Sequence, residues 1–268
     1  MPEVPMAEVG LVDFSGTVGR RTLRAVVLGV GGMATLIGLW EAFVVVGHVQ
    51  PVVLPTPVGV VMTLGSLVRQ PSFWNDVLVS VEEFGAGYLL GGVLGYVVGV
   101  LLGVSEWWSR TLGPVVQVFR FVIPFSWIPL VVLWFGIGLD GKALLVAYAV
   151  FFVVALSVED AVRSVDPVLV KVGRTVGMSR YVLLMKVRLR GSLPRALSGL
   201  RVAVAVGWIT VVAAEYIGSS AGLGYLIINA QQVLSTNTIL AGMVTIGAIG
   251  SLLSLGVGQI ERRLTPHG

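Results

Sequence analysis

Apolar residues collect into six stretches, at about 26–46, 84–104, 115–137, 144–158, 200–217 and 239–257, and the intervening segments carry most of the charge. A bilayer core takes roughly 20 apolar residues per helix, so the pattern predicts six membrane helices. The fourth stretch is short, and its helix can begin as early as Leu139. Pro124 and Pro129 interrupt the third. A proline inside a helix removes a hydrogen bond and kinks the chain, which lipid tolerates only where protein or a cavity meets the freed carbonyls. The first stretch is too long for a signal-peptide core. Glu3, Glu8 and Asp13 precede it where a signal peptide would be basic, so it is expected to be a retained anchor.

Composition agrees with lipid as the solvent. Only 12% of residues are charged, and mean hydropathy is +0.93. A soluble domain carries roughly twice that charged fraction. Glycine, at 35 of 268 residues, points in a membrane chain to closely packed helices rather than loops. With no cysteine and only His48 and His267 as imidazoles, thiolate sites, disulfides and His-based metal clusters are excluded. Glu82, Glu83, Glu106, Glu159 and Asp160 are scattered rather than gathered as an acid–base pair, so neither a catalytic nor a metal site is expected.

The basic residues set an orientation. Arg20, Arg21 and Arg24 precede the first span, Arg110 follows the second, and Arg262 and Arg263 follow the last. Arg163, Lys171, Arg174, Arg180, Lys186, Arg188, Arg190 and Arg195 fill the loop between the fourth and fifth. All fall on one side, against Arg69 and Lys142 on the other. The positive-inside rule then places both termini in the cytoplasm.

That basic loop, 159–196, is long and has helical signals. Asp166 is an N-cap with Pro167 at the first helical position. Gly177 can take the left-handed conformation that ends a helix over 168–176. Ser179 can cap a second helix from Arg180 to about Leu189, and Pro194 marks the start of the fifth span. A helix, a sharp turn and a second helix on the cytoplasmic side suggest a docking surface.

Here the chain resembles a known family. Val170-Lys171-Val172-Gly173-Arg174-Thr175-Val176-Gly177-Met178-Ser179 is similar to the "EAA" loop of ABC importer permeases. Pro124-Phe125-Ser126-Trp127-Ile128-Pro129-Leu130 and Leu133-Trp134-Phe135-Gly136-Ile137-Gly138 are similar to the third-helix signature of the nitrate, sulfonate and taurine type. Gly199-Leu200-Arg201, Trp208, Ala213-Ala214-Glu215, Ser220-Ala221-Gly222-Leu223-Gly224-Tyr225-Leu226-Ile227 and Leu54-Pro55-Thr56-Pro57 extend the resemblance over 51–255. Two departures stand out: Lys171-Val172-Gly173 occupies the Glu-Ala-Ala positions, and Leu189-Arg190 replaces a later Leu-Pro. Gly177 is kept.

The resemblance implies an all-α, type I importer permease in the bacterial inner membrane, paired as a homodimer and non-catalytic. ATP and magnesium would bind a partner ATPase, and an extracytoplasmic binding protein would deliver a small anion: an aliphatic sulfonate or taurine first, nitrate or bicarbonate next. It implies an ATPase-coupling role for Lys171, Gly173, Arg174, Thr175, Gly177, Met178 and Ser179. Pro124, Trp127, Pro129, Trp134 and Glu215 are candidates for the pathway. The expected plan is a cytoplasmic segment over 1–24, a first span over 25–47, an extracytoplasmic connection over 48–80, a core over 81–260 and a cytoplasmic tail over 261–268. No cofactor is expected on this chain, and no nucleic acid. A secondary transporter would instead show internal repeats with paired buried charges, and a membrane enzyme a cluster of catalytic groups.

Three further patterns carry less. Gly136 to Ala143 nearly spells a phosphate loop but has Ala143 where magnesium needs a hydroxyl; Asp140-Gly141 is expected as a tight turn. Gly218-Ser219-Ser220-Ala221-Gly222 mimics a hydrolase elbow with no histidine base nearby and is expected as a loop or re-entrant turn. Gly87, Gly91, Gly95, Gly99 and Gly103 recur every four residues, a smooth face for packing inside the bundle or, alternatively, along a dimer seam. Among charges at membrane depth, Glu41, Arg120 and Glu215 are the candidates for internal pairing, interface anchoring or a cavity role.

Overall fold

The computed structural model describes the backbone of residues 15–136 and 138–264. Residues 1–14 of the expected N-terminal segment and 265–268 of the tail lie outside them. The chain divides into a unit ending at Gly59 and one beginning at Val60. In the first, α1 (Ser15–Val46) runs through the first apolar stretch. Thr56 Oγ1 then accepts from Gly59 N at 3.1 Å, capping α2 (Pro57–Leu67) behind its leading proline.

The second unit is built around α3 (Pro71–Val104), α6 (Leu139–Arg163), α9 (Arg190–Gly218) and α11 (Thr236–Leu264), each long and apolar enough to span a bilayer. α3 begins well before the apolar stretch at 84, inside the segment expected as a connection, and brings Asp76, Ser80 and Glu83 into the helix. α6 starts at Leu139, so Asp140 and Gly141 form its first turn rather than a tight turn between helices.

The repeated glycines of α3 lie against α6. A Cβ on Gly87 would sit 2.5 Å from the Ala143 carbonyl, one on Gly95 2.7 Å from that of Phe151, and one on Gly99 2.5 Å from that of Ala155. Gly91 rides on Ala147 and Gly103 on Val162. The seam is internal to the bundle. Its partner ridge is Val146, Val150, Val154, Val158 and Val162, also spaced by four and all buried. Lipid tails are as apolar as valine, so burying the ridge gives little transfer energy; the bare glycine backbone instead allows the close van der Waals approach that holds membrane helices together.

The pairing advances by four on both helices, so α3 and α6 run parallel. The segment between them must therefore carry the chain back. It does so as a broken pair bent by 83°: α4 (Glu106–Phe119), then a 3-10 turn (Pro124–Trp127) leading into α5 (Ile128–Phe135). Pro124 and Pro129 sit in first turns, where a missing N–H is harmless, so the break falls at residues 120–123 rather than within a kinked helix. α9 opposes α6: Gly199 meets Ser157 and Gly207 meets Val150. α11 opposes α9, with Gly250 on Trp208 and Trp208 Nε1 donating to Ile246 O at 3.0 Å.

Two ends of the bundle result. One gathers the starts of α3, α6 and α11 with the end of α9, including α10 (Leu223–Gln232). The other gathers the ends of α3 and α6 with the start of α9, and carries α7 (Pro167–Thr175) and α8 (Arg180–Leu183). A π-helical segment, Leu184–Leu189, joins α8 to α9. Pro194 lies within α9, one turn past its start, rather than at its boundary.

Candidate functional site

The helix–turn–helix of the basic end is built by local rules. Asp166 Oδ1 accepts from Val168 N at 2.7 Å, with Pro167 at the first position of α7. After α7 the backbone turns at Gly177, whose φ is +79°. Met178 N donates to Gly173 O at 3.0 Å and Gly177 N to Arg174 O at 3.0 Å, closing the turn on the helix. Ser179 Oγ accepts from Val182 N at 3.3 Å and caps α8. Gly173 is buried because Leu183 of α8 packs on it: a Cβ there would lie 3.0 Å from Leu183 Cδ1. Thr175 Oγ1 turns back to Lys171 O at 3.1 Å. Lys171, Arg174 and Ser179 are exposed.

α7 has two unlike faces. Val168, Leu169, Val172 and Val176, all more than half exposed, share one side. Pro167, Val170, Lys171 and Arg174 share the other and line a cavity against the end of α3. Exposed valines at a protein–water boundary are costly unless a partner covers them.

At the opposite end a buried polar cluster holds the α9–α10 turn. Glu83 of α3 is 1% exposed and forms an ion pair with Lys142 of α6, itself 6% exposed. Lys142 Nζ also donates to Ser219 Oγ at 2.7 Å. Glu215 is fully buried, and its Oε2 accepts from Gly224 N at 2.7 Å. Ser80 Oγ accepts from Leu223 N and Asp76 Oδ1 from Gly222 N, both at 2.9 Å. Three side chains thus satisfy the first N–H groups of α10 and the loop before it. Gly222, at φ +113°, has no room for a side chain: its Cβ would fall 2.5 Å from Glu215 Oε1. Gly218 to Gly222 is this turn, followed by a helix. Beside it opens a polar cleft of about 490 Å³ that includes Asp76, Asn75, Ser220, Tyr225 and Asn229.

Lys142 was expected in a connection between spans, and Glu215 at membrane depth in internal pairing, interface anchoring or a cavity; the fold buries both beside Glu83. Asp76, Ser80 and Glu83 recur as i, i+4, i+7, a polar stripe legible in the sequence once α3 is extended to Pro71. Arg120 caps the end of α4 over the Phe121 ring at 4.7 Å, in the break rather than in a span. Glu41 lies in α1, in the first unit. Of the pathway candidates, Trp127 and Trp134 come together in a cavity of about 430 Å³ with Phe119, Tyr148, Phe151 and Phe152. The surface it exposes is apolar, and Trp127 Nε1 lies buried without a hydrogen-bond partner. Pro124 and Pro129 start the helices that frame it, and Glu215 belongs to the polar cluster instead. No group of three or more acidic or histidine side chains able to hold a metal occurs among the described residues.

Comparison with known proteins gives this arrangement a context. The family described as binding-protein-dependent transport system inner membrane component matches residues 91–267. The taurine transport system permease protein TauC of Escherichia coli is 36% identical over 91% of this chain and 91% of its own length. A putative aliphatic sulfonates transport permease protein, SsuC of Bacillus subtilis, is 35% identical over 86% of this chain and 84% of its own. Among solved structures, the inward-facing MetNI methionine ABC transporter shares the fold, with a TM-score of 0.64 at 20% identity over 73% of this chain and 99% of that one. An amino acid ABC transporter crystallised with histidines matches at 0.60 and 16% identity over 76% and 98%. A bundle whose α3 and α6 run parallel around a broken return, with a capped helix pair at its basic end, is therefore a multi-pass membrane protein of known lineage: the chain belongs to the binding-protein-dependent transport system inner membrane component family and is an ABC transporter permease of the taurine and sulfonate type.

Proposed function

We propose that this permease forms the path for a small organic anion, taurine or another aliphatic sulfonate first and nitrate or bicarbonate next, delivered by an extracytoplasmic binding protein. A separate ATPase supplies ATP and magnesium chemistry, and two permease copies pair. The basic end faces the cytoplasm, which follows from its excess of Arg and Lys. The sulfonate preference rests on the names of the 35–36% identical relatives.

The observation that carries the ATPase assignment is the exposed apolar face of α7 ending at Gly177. Val168, Leu169, Val172 and Val176 form a short hydrophobic ridge, with Met178 and Tyr181 exposed just beyond the turn. A ridge of this kind on the solvent side is an anchor for a groove on a partner. Because Leu183 of α8 packs on Gly173 of α7, the two short helices are tied together, and the π segment carries α8 on into α9. Displacement of the ridge by a closing ATPase would thus tilt the helix whose far end carries Glu215.

The test is co-purification with the ATPase, comparing wild type with Gly177→Asp and Val172→Asp. Wild type should retain the ATPase and both variants should lose it while eluting as folded protein. Failure of wild type to bind any ATPase overturns the reading. Uptake of labelled taurine against nitrate, with the binding protein present, then tests the substrate.

A further inference from the structure

The valine ridge leaves the other face of α7 unaccounted for. Pro167, Val170, Lys171 and Arg174 form one wall of a trough of about 640 Å³ whose opposite wall is Leu102, Gly103, Val104 and Ser105, the last turn of α3. A second trough of about 600 Å³ shares Val104, Ser105, Arg174 and Arg188 with it and extends to Arg180. The charge is lopsided. Arg110, Arg163, Lys171, Arg174, Arg180 and Arg188 line the two, against the single carboxylate of Glu106, which Arg110 already pairs at 3.0 Å. Glu159 pairs Arg163 at 2.7 Å from outside the wall. Among the described residues, Lys171, Arg174 and Arg180 meet no carboxylate.

The depth of the trough is fixed by what its arginines touch. Arg163 donates to Leu102 O at 3.4 Å and Arg188 to Val104 O at 3.3 Å, so both guanidinium groups lie at the terminal carbonyls of a membrane span. Trp107 and Trp108, in the first turn of α4 beside it, form the aromatic pair typical of the headgroup layer. The floor is apolar, with Val162, Val165 and Val170, and the rim is cationic. Basic pockets at the cytoplasmic end of membrane helices suit phosphodiester headgroups, which guanidinium groups bind in a bidentate way.

We propose that this trough binds the phosphate of an anionic phospholipid from the leaflet at the basic end, so that α7 rests on lipid with one face and presents its valines to the ATPase with the other. The apolar floor takes the glycerol and first methylenes, and Lys171, Arg174 and Arg180 supply the charge no side chain answers. The orientation given above serves only to name the leaflet as the inner one; the valine face alone rests on the ATPase reading, and the lipid contact stands without it.

The experiment is native mass spectrometry of the full chain in uncharged detergent, titrated with dioctanoyl phosphatidylglycerol, dioctanoyl phosphatidylcholine or inorganic phosphate. Wild type should retain phosphatidylglycerol at least tenfold more tightly than phosphatidylcholine. Lys171→Gln with Arg174→Gln removes two cations that brace nothing else and should weaken phosphatidylglycerol about 30-fold, from roughly fivefold per cation. Val172→Asp, on the other face, should leave lipid retention unchanged while testing the ATPase contact separately. Equal retention of the two lipids, or undiminished retention by the double variant, would overturn the proposal. So would competition by free phosphate at the concentration of the lipid, which would mark a soluble-anion site. Stoichiometric displacement of the lipid by added ATPase would overturn it too, by assigning the trough to a protein interface.

Discussion

Replacing Lys142 by methionine tests the polar cluster most directly. The substitution keeps the length of the side chain and removes its charge from a site where Glu83 is 1% exposed and Glu215 fully buried. Removing one partner of a buried ion pair leaves an uncompensated charge, at a cost of about 3–5 kcal/mol. Ser219 Oγ also loses its bond from Nζ, although it keeps the Ala221 carbonyl at 2.5 Å. The two losses overlap because both stem from one ammonium, so about 4 kcal/mol in total is expected. With 2–4 °C per kcal/mol for a chain of this size, the melting temperature should fall by about 10 °C. The assay is thermal unfolding in detergent, run as a double-mutant cycle with Glu83→Gln. Lys142→Met with Glu83→Gln should recover most of the loss, because the orphaned charge is gone. A single variant melting within about 2 °C of wild type, or a double variant no more stable than Lys142→Met alone, would refute the pairing as a source of stability.

Other substitutions separate packing from local geometry. Gly99→Val places its Cβ 2.5 Å from the Ala155 carbonyl and should destabilise by about 1–3 kcal/mol or more, whereas Gly85→Ala, with nothing within 4 Å, should be neutral or stabilising by about 0.5–1 kcal/mol; paired melting curves decide it. Gly222→Ala meets Glu215 and a φ of +113°, so it should cost at least about 1–3 kcal/mol and raise hydrogen exchange across α10. Asp166→Ala removes the cap of α7, should cost about 1 kcal/mol locally, and should raise hydrogen exchange at 167–170 with little change in global melting.

Much of the architecture was legible because it rests on short-range rules. The caps at Asp166 and Ser179 and the turn at Gly177 are written in three or four adjacent residues, and the structure forms them where the sequence predicts. The glycine repeat of α3 was legible as a packing face. Its partner was not, since the valine ridge on α6 lies in an unbroken apolar run where no polar contrast marks one side. The break at 120–123 was misplaced because a proline is disruptive only from the second turn onward. Pro124 and Pro129 each open a helix, and the chain bends in the residues before them.

Lys142 shows why the polar cluster escaped. The positive-inside rule counts a lysine between two apolar stretches as a loop charge, and its value is statistical over many such residues. It takes no account of a partner brought from about sixty residues earlier, because that partner depends on how α3 and α6 register. The register is set by glycines 87 to 103 against residues 143 to 162, and once it is set the start of α6 must lie beside Glu83, in the fourth turn of α3. Glu83 then lies one turn before Gly87, within reach of the long side chain of Lys142, which sits next to the Gly87 contact at Ala143. The same register that buries the valines therefore forces the charge inward, where only a carboxylate at that height can hold it. In this chain the ion pair is a consequence of glycine spacing, and shifting that seam by one turn would strand Lys142 as surely as removing Glu83.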